Sequence, residues 1–96
     1  MGKVNFNVSE RADFTLVEFT LDGPISPDIL HTLTPPQVDA TKGVVISGRG
    51  PIWLYAYLTH YYHYTLWVAT YDPRLGGAVV VQSHTPSKRE GDVIPV

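Results

Sequence analysis

Ninety-six residues and 10.7 kDa allow one small domain, residues 1–96, and a chain of that size buries only about 60% of its unfolded surface. The absence of cysteine excludes disulfides, thiolate metal sites and thiol nucleophiles. A hydrophobic content of 44% argues against disorder, and a net charge of −2 argues against duplex DNA as a partner, since that needs a broad basic face. No apolar stretch is long enough to cross a membrane, and Met1 to Ser9 lacks the apolar core of a signal peptide, so a cytoplasmic protein is expected.

Residues 3–8 alternate polar and apolar, the pattern of a half-buried strand. Residues 14–21, rich in Phe, Thr, Leu and Val, read as a second strand, and the short polar link Ser9–Asp13 makes the pair a hairpin. Asp22-Gly23-Pro24 has turn chemistry. Ser26-Pro27-Asp28 then reads as a helix start, with a capping hydroxyl, proline at the first helical position and an acid in the first turn. That helix stops before Pro35-Pro36. Residues 43–47 form a continuous apolar run, as in a strand buried on both faces. After Gly48-Arg49-Gly50, Pro51 opens a helix to about Tyr62. Residues 66–71 and 78–81 read as strands joined through Asp72-Pro73 and Gly76-Gly77, with a further edge strand at 92–94. The expected order is β-β-α-β-α-β-β, a small α/β domain with a mixed sheet and at least one parallel crossover.

Charge is distributed unevenly. Between Gly43 and Ser87 the only charged side chains are Arg49, Asp72 and Arg74, so the arginines of this half are either paired structurally or aimed at a ligand. Ser47-Gly48-Arg49-Gly50 lies between a buried strand and a helix, at the strand end where open α/β sheets bind ligands. Its glycines allow close backbone approach, the helix start offers unpaired N–H groups, and Arg49 presents a planar donor fork for phosphate oxygens. The structural alternative is a tight turn with Arg49 paired to an acid. The lysine and spacing of a nucleotide-triphosphate loop are absent. Asp72-Pro73-Arg74 occupies another strand end, where the acid and the arginine either act on a ligand or pair with each other across a turn. His60 and His63 share a helix face and together can ligate a metal, with His84 returning toward that end; His31 stands apart. Helix 51–62 carries Trp53, Tyr55, Tyr57, Tyr61 and Tyr62, more apolar surface than one sheet covers. Either the tyrosines lie at the surface with wet hydroxyls, or the helix forms a two-fold subunit interface.

The stretch Gly43-Val44-Val45-Ile46-Ser47-Gly48-Arg49-Gly50-Pro51-Ile52-Trp53-Leu54-Tyr55, with His60, Tyr71-Asp72-Pro73-Arg74-Leu75 and Val79-Val80-Val81-Gln82-Ser83-His84, resembles the CRISPR-associated ring nuclease 3 family. The resemblance implies a Rossmann-like fold of the CRISPR-associated type. It also implies binding of cyclic tetra-adenylate, the second messenger of type III CRISPR defence, and manganese-dependent cleavage of that ring and of short RNA. Members of the family are dimers that stack head to tail into tetramers with the ligand between them. By the same resemblance Ser47, Gly48, Arg49 and Gly50 hold phosphate, His60, Asp72 and Arg74 belong to the cleavage site, and His60, His63 and Asp72 are the metal-ligand candidates. A messenger sensor that does not cut, and a general RNA 3′-exonuclease, are the alternative expectations.

The helix itself constrains this picture. Ten residues from Gly50 to His60 rise about 15 Å, so His60 lies at the far end of the domain from the glycine turn. If strand 66–71 runs parallel to 43–47, Asp72 returns to the turn end, away from His60. Those two groups then meet only across subunits, or one belongs to a different site.

Overall fold

In the computed structural model, which describes residues 2–96, the N-terminal hairpin forms as its alternation predicts. β1 (Val4–Glu10) pairs antiparallel with β2 (Phe14–Leu21), from Val4↔Leu21 to Glu10↔Thr15. Val4 and Phe6 turn toward one face while Asn5 and Asn7 stay exposed. The apolar run becomes β3 (Gly43–Gly48), which is parallel both to β2 and to β4 (Trp67–Asp72). Neighbours on both sides and cover on both faces explain why Val44, Val45 and Ile46 are fully buried and why the run is continuous rather than alternating. β5 (Gly77–Ser83) and β6 (Val93–Ile94) complete the sheet with antiparallel pairing, so the edge strand expected at 92–94 is present.

The product is a small, mostly sheet α/β domain: six strands in a mixed sheet and one α-helix, α1 (Ile52–Tyr61). The strands lie in chain order, β1 to β6, without the reversal that gives a Rossmann sheet its switch point. The helix expected after Ser26 is a single 3₁₀ turn, Pro27–His31. Ser26 does not cap it; its hydroxyl bonds the Asp28 carboxylate instead of a backbone N–H. With Pro35-Pro36 close behind, too few residues remain for an α-helical segment to repay nucleation. Pro51 precedes α1 as its cap residue rather than opening it.

Consecutive right-handed crossovers in one direction fall on one face of a sheet, and here both do. Leu54, Leu58 and Tyr62 pack with Val17, Phe19, Val44, Ile46 and Val68, joined by Leu30, Leu33 and Val38 of the β2–β3 crossover. Trp53, Tyr57 and Tyr61 lie half-buried against the same cluster, and the Tyr62 hydroxyl donates to the Pro36 carbonyl at 2.7 Å. Part of the aromatic excess of α1 is therefore absorbed within the chain. The opposite face buries Phe14, Leu16, Val45, Trp67, Ala69, Ala78 and Val80, with Lys88 of the C-terminal segment 5.5 Å over the Trp67 ring. Among the described residues no helix is long and apolar enough to cross a membrane.

Candidate functional site at the parting of two parallel strands

β3 stays paired to β2 as far as Gly48↔Phe19, but its pairing with β4 ends at Ile46↔Thr70. Beyond Ile46 the two strands part, and the first turn of α1 stands over the gap. The resulting open cleft, about 510 Å³, is lined by Gly48, Ile52, Tyr55, Thr70, Asp72 and Arg74 among others. An adjoining hollow of about 380 Å³ shares Gly48, Tyr55, Tyr71 and Pro73 with it and adds Ser47 and Arg49. The structure thus brings Ser47, Gly48 and Arg49 together with Asp72 and Arg74, two stretches read separately in the sequence.

Each group at this end is held differently. Arg49 is exposed and forms no salt bridge with any described residue, so the tight-turn alternative in which it pairs with an acid is not what the chain adopts. The first turn of α1 has no side-chain cap and no acidic residue, which leaves its leading N–H groups and positive dipole end unopposed. Asp72 and Arg74 do pair across their turn. The carboxylate accepts the Arg74 backbone N–H at 2.9 Å and the guanidinium at 3.5 Å, with the Arg74 side chain 89% exposed. The Arg74 side-chain contact, followed by its backbone hydrogen bond, holds the Asp72 carboxyl below the usual carboxylate range. An exposed pair at that distance contributes little to folding and releases its arginine cheaply.

The absent side chains of Gly48 and Gly50 make room for Phe19. A Cβ on Gly48 would lie 2.6 Å from the Phe19 carbonyl oxygen and 2.7 Å from its ring, and one on Gly50 would lie 2.8 Å from the ring. Sequence reasoning also missed Tyr55, whose hydroxyl accepts the Gly48 N–H at 2.9 Å and donates to the Gly48 carbonyl at 2.7 Å. A tyrosine in the first turn after a glycine-rich strand end was the available signal, but periodicity assigned it to the apolar excess of the helix.

His60 and His63 lie at the other end of α1. Eight residues of helix separate Ile52, on the cleft, from His60, about 12 Å. The parallel pairing of β3 with β4 returns Asp72 to the cleft end. Within one chain the expected set His60, His63 and Asp72 is therefore not assembled, and among the described residues no three His, Asp or Glu side chains gather to hold a metal. The imidazoles of His60 and His63 stack at 5.6 Å with 9° between planes. Lone pairs lie in the ring planes, so near-parallel stacked rings do not aim them at one ion. His84 does return to this end, as expected. Its Nε2 bonds the His63 carbonyl at 2.8 Å, a carbonyl that also accepts from Gln82, and His63 Nδ1 bonds the His60 carbonyl at 2.9 Å. Carbonyls only accept, so both nitrogens carry protons, leaving Nε2 of His63 and Nδ1 of His84 as the acceptors. His31 is exposed elsewhere.

Residues 18–95 match the sequence profile described as CRISPR-associated protein (Cas_csx3), which takes in everything from the middle of β2 onward. An uncharacterized protein of Aquifex aeolicus (strain VF5) is 52% identical over 88 residues, covering 85% of this chain and 78% of the relative.

Proposed function

Because the chain belongs to the CRISPR-associated protein family Cas_csx3, we propose that it binds cyclic tetra-adenylate and cleaves it to linear adenylates as a metal-dependent phosphodiesterase. The observation that carries this reading is the separation along α1: an uncapped helix start with Arg49 and Arg74 at one end, and three imidazoles at the other. One copy cannot apply both ends to a single phosphodiester. Two copies stacked head to tail around a ring can, and this is the homodimer and ligand-sandwiching tetramer that the resemblance implies. Short RNA would enter the same space.

The roles follow from the chemistry. Arg49 and the α1 start hold phosphate oxygens. A 2′-hydroxyl of the ring attacks its neighbouring phosphorus, the bond to the 5′-oxygen breaks, and a 2′,3′-cyclic phosphate is left on one side. Arg74 from the loosely paired turn stabilises charge on the phosphate, and His60 of the second copy moves the proton from the attacking hydroxyl toward the leaving oxygen. Among the described residues one chain offers no converging set of three His, Asp or Glu donors, so the implied manganese dependence would require donors from two copies.

Incubating the ring with protein and manganese, with and without chelator, tests the proposal. Linear adenylates that disappear with chelator are expected; an intact ring at high protein concentration overturns it. The engagement of Asp72 in its own turn favours a second reading, a sensor that binds without cutting. That reading predicts tight binding by wild type and by His60→Ala alike, with no turnover in either.

A further inference from the structure

Arg49 sits between two glycines on an exposed turn, and no ion pair to a described residue anchors its side chain. A flexible arginine pays ordering entropy each time it meets an anion. Something else must hold the segment if it is to act as a preformed site. In a parallel strand the N–H and C=O of one residue face the same neighbour. β3 loses β4 as a partner after Ile46, so the two peptide groups of Gly48 would face an empty gap. A single hydroxyl fills both needs: Tyr55 accepts from the Gly48 N–H and donates to its C=O.

The hydroxyl is itself well placed by packing. The Tyr55 ring meets the Phe19 ring edge-on, with centroids 5.4 Å apart, and Phe19 is the ring against which Gly48 and Gly50 close. Phe19, Gly48 and Tyr55 therefore interlock, and the next residue along the chain is Arg49. Tyr55 lines both the cleft and the adjoining hollow, so it reaches Gly48 from the side where a ligand would lie.

We propose that Tyr55 is the positioning residue of the anion-binding turn: its hydroxyl stands in for the missing strand at Gly48 and fixes the direction from which Arg49 meets phosphate. This inference rests on the anion-binding reading of Arg49 given above. Tyr55 touches no reacting atom in it and works through the Gly48 peptide.

The test is a set of full-length variants titrated with fluorescent cyclic tetra-adenylate. Tyr55→Phe keeps the ring packed on Phe19 and removes only the hydroxyl. Its Kd is expected to rise about tenfold, as Arg49 loses its fixed approach to phosphate and must be ordered on binding, while circular dichroism stays that of the wild type. In an Arg49→Ala background the same change is expected to add nothing, because it acts through Arg49. Tyr57→Phe, two residues further along α1 and without a bond to Gly48, is expected to bind as wild type. Wild-type affinity in Tyr55→Phe, or a full additional loss in the double variant, overturns the inference while leaving ring binding intact. Failure of wild type to bind the ring overturns the functional reading instead. Amide hydrogen exchange then decides on the latch by itself: faster exchange confined to Gly48 and Arg49 in Tyr55→Phe upholds it, and unchanged exchange there overturns it.

Discussion

The two ends of α1 hold similar numbers of polar groups but treat them in opposite ways. At the start, backbone groups are satisfied from within, by Tyr55 on Gly48 and by Pro51 on Leu54, while Arg49 and the Ile52 and Trp53 N–H groups have no partner among the described residues. At the finish, the side chains themselves are used up: His63 and His84 each donate to a carbonyl of the same cluster, and His60 stacks on His63. An end with a fixed backbone and free side chains is prepared for a ligand that arrives with charge. An end where His63 and His84 each bond a backbone carbonyl keeps defined tautomers at those two rings and exposed acceptor nitrogens, which on the proposed reading suits moving a proton rather than holding an anion. On the proposed reading, one ten-residue helix keeps two functions apart, and completing a site is then a matter of stacking copies.

The sharpest way to break this comparison is to disable one end at a time. His60→Ala is expected to lower turnover by about 10²–10⁴-fold, the usual weight of a positioned acid–base group, with ring affinity kept. Arg49→Ala is expected to do the reverse, costing about 1.5–3 kcal/mol in binding with turnover at saturation largely retained. If each site is completed between copies, mixing the two variants restores activity that neither has alone at limiting ring concentration. Equilibrium titration beside single-turnover assays reads all three results. A mixture no more active than the sum of its parts would show that one copy suffices.

A smaller effect sharpens the account of the turn itself. The space at Gly48 is closed partly by the Phe19 backbone, which cannot swing away, whereas at Gly50 the nearest atoms belong to the Phe19 ring and the Leu54 side chain. Gly48→Ala is therefore expected to destabilise the fold by about 1–3 kcal/mol, and Gly50→Ala by less. Replacing Phe19 with leucine should relieve Gly50→Ala more than Gly48→Ala. Denaturant melts of the four variants decide it, and equal costs at both glycines would remove Phe19 from the explanation.

Much of this frame was legible before any coordinates. The alternation of residues 3–8 and the unbroken run Val44-Val45-Ile46 point to a half-buried strand and one buried on both faces, because exposure on one face or neither leaves a direct mark on side-chain type. The conflict between His60 and Asp72 was also legible, since it needs only helix rise and strand direction. Three features were not. Ser26 had two acceptable partners, and sequence cannot rank its own carboxylate neighbour Asp28 against a backbone N–H. Strand order depends on which edge each crossover returns to, and the apolar patterns are the same either way. The latch at Gly48 joins Phe19, Gly48 and Tyr55 from three elements, and only the register of β2 on β3 brings them together. The packing reason for the glycines at this strand end is therefore hidden in the sequence, because the ring that packs against them lies far away in the chain.

The smallest effect compares two phenols at either end of α1, half-buried Tyr55 and fully buried Tyr62. Tyr55 at the start and Tyr62 just past the end both have their ionisation pushed up, chiefly by burial, reinforced at Tyr62 by the neighbouring Tyr61 and Tyr64. Below pH 10 both are protonated whether the chain is folded or not, and they add no pH dependence. Above pH 10 the unfolded chain releases these protons and the folded chain does not, so folding stability falls as pH rises further. Tyr62→Phe is expected to cost about 1 kcal/mol at neutral pH, because the Pro36 carbonyl loses its donor. The same variant should lose less stability than wild type between neutral and strongly alkaline pH, since one of the two titrations has been removed. Tyr55→Phe should flatten the alkaline limb less, because the Gly48 N–H that its hydroxyl accepts offsets part of the effect of burial. Thermal melts across that range read the slopes directly, and a wild-type alkaline slope in Tyr62→Phe would mean that its hydroxyl is solvated in the folded protein.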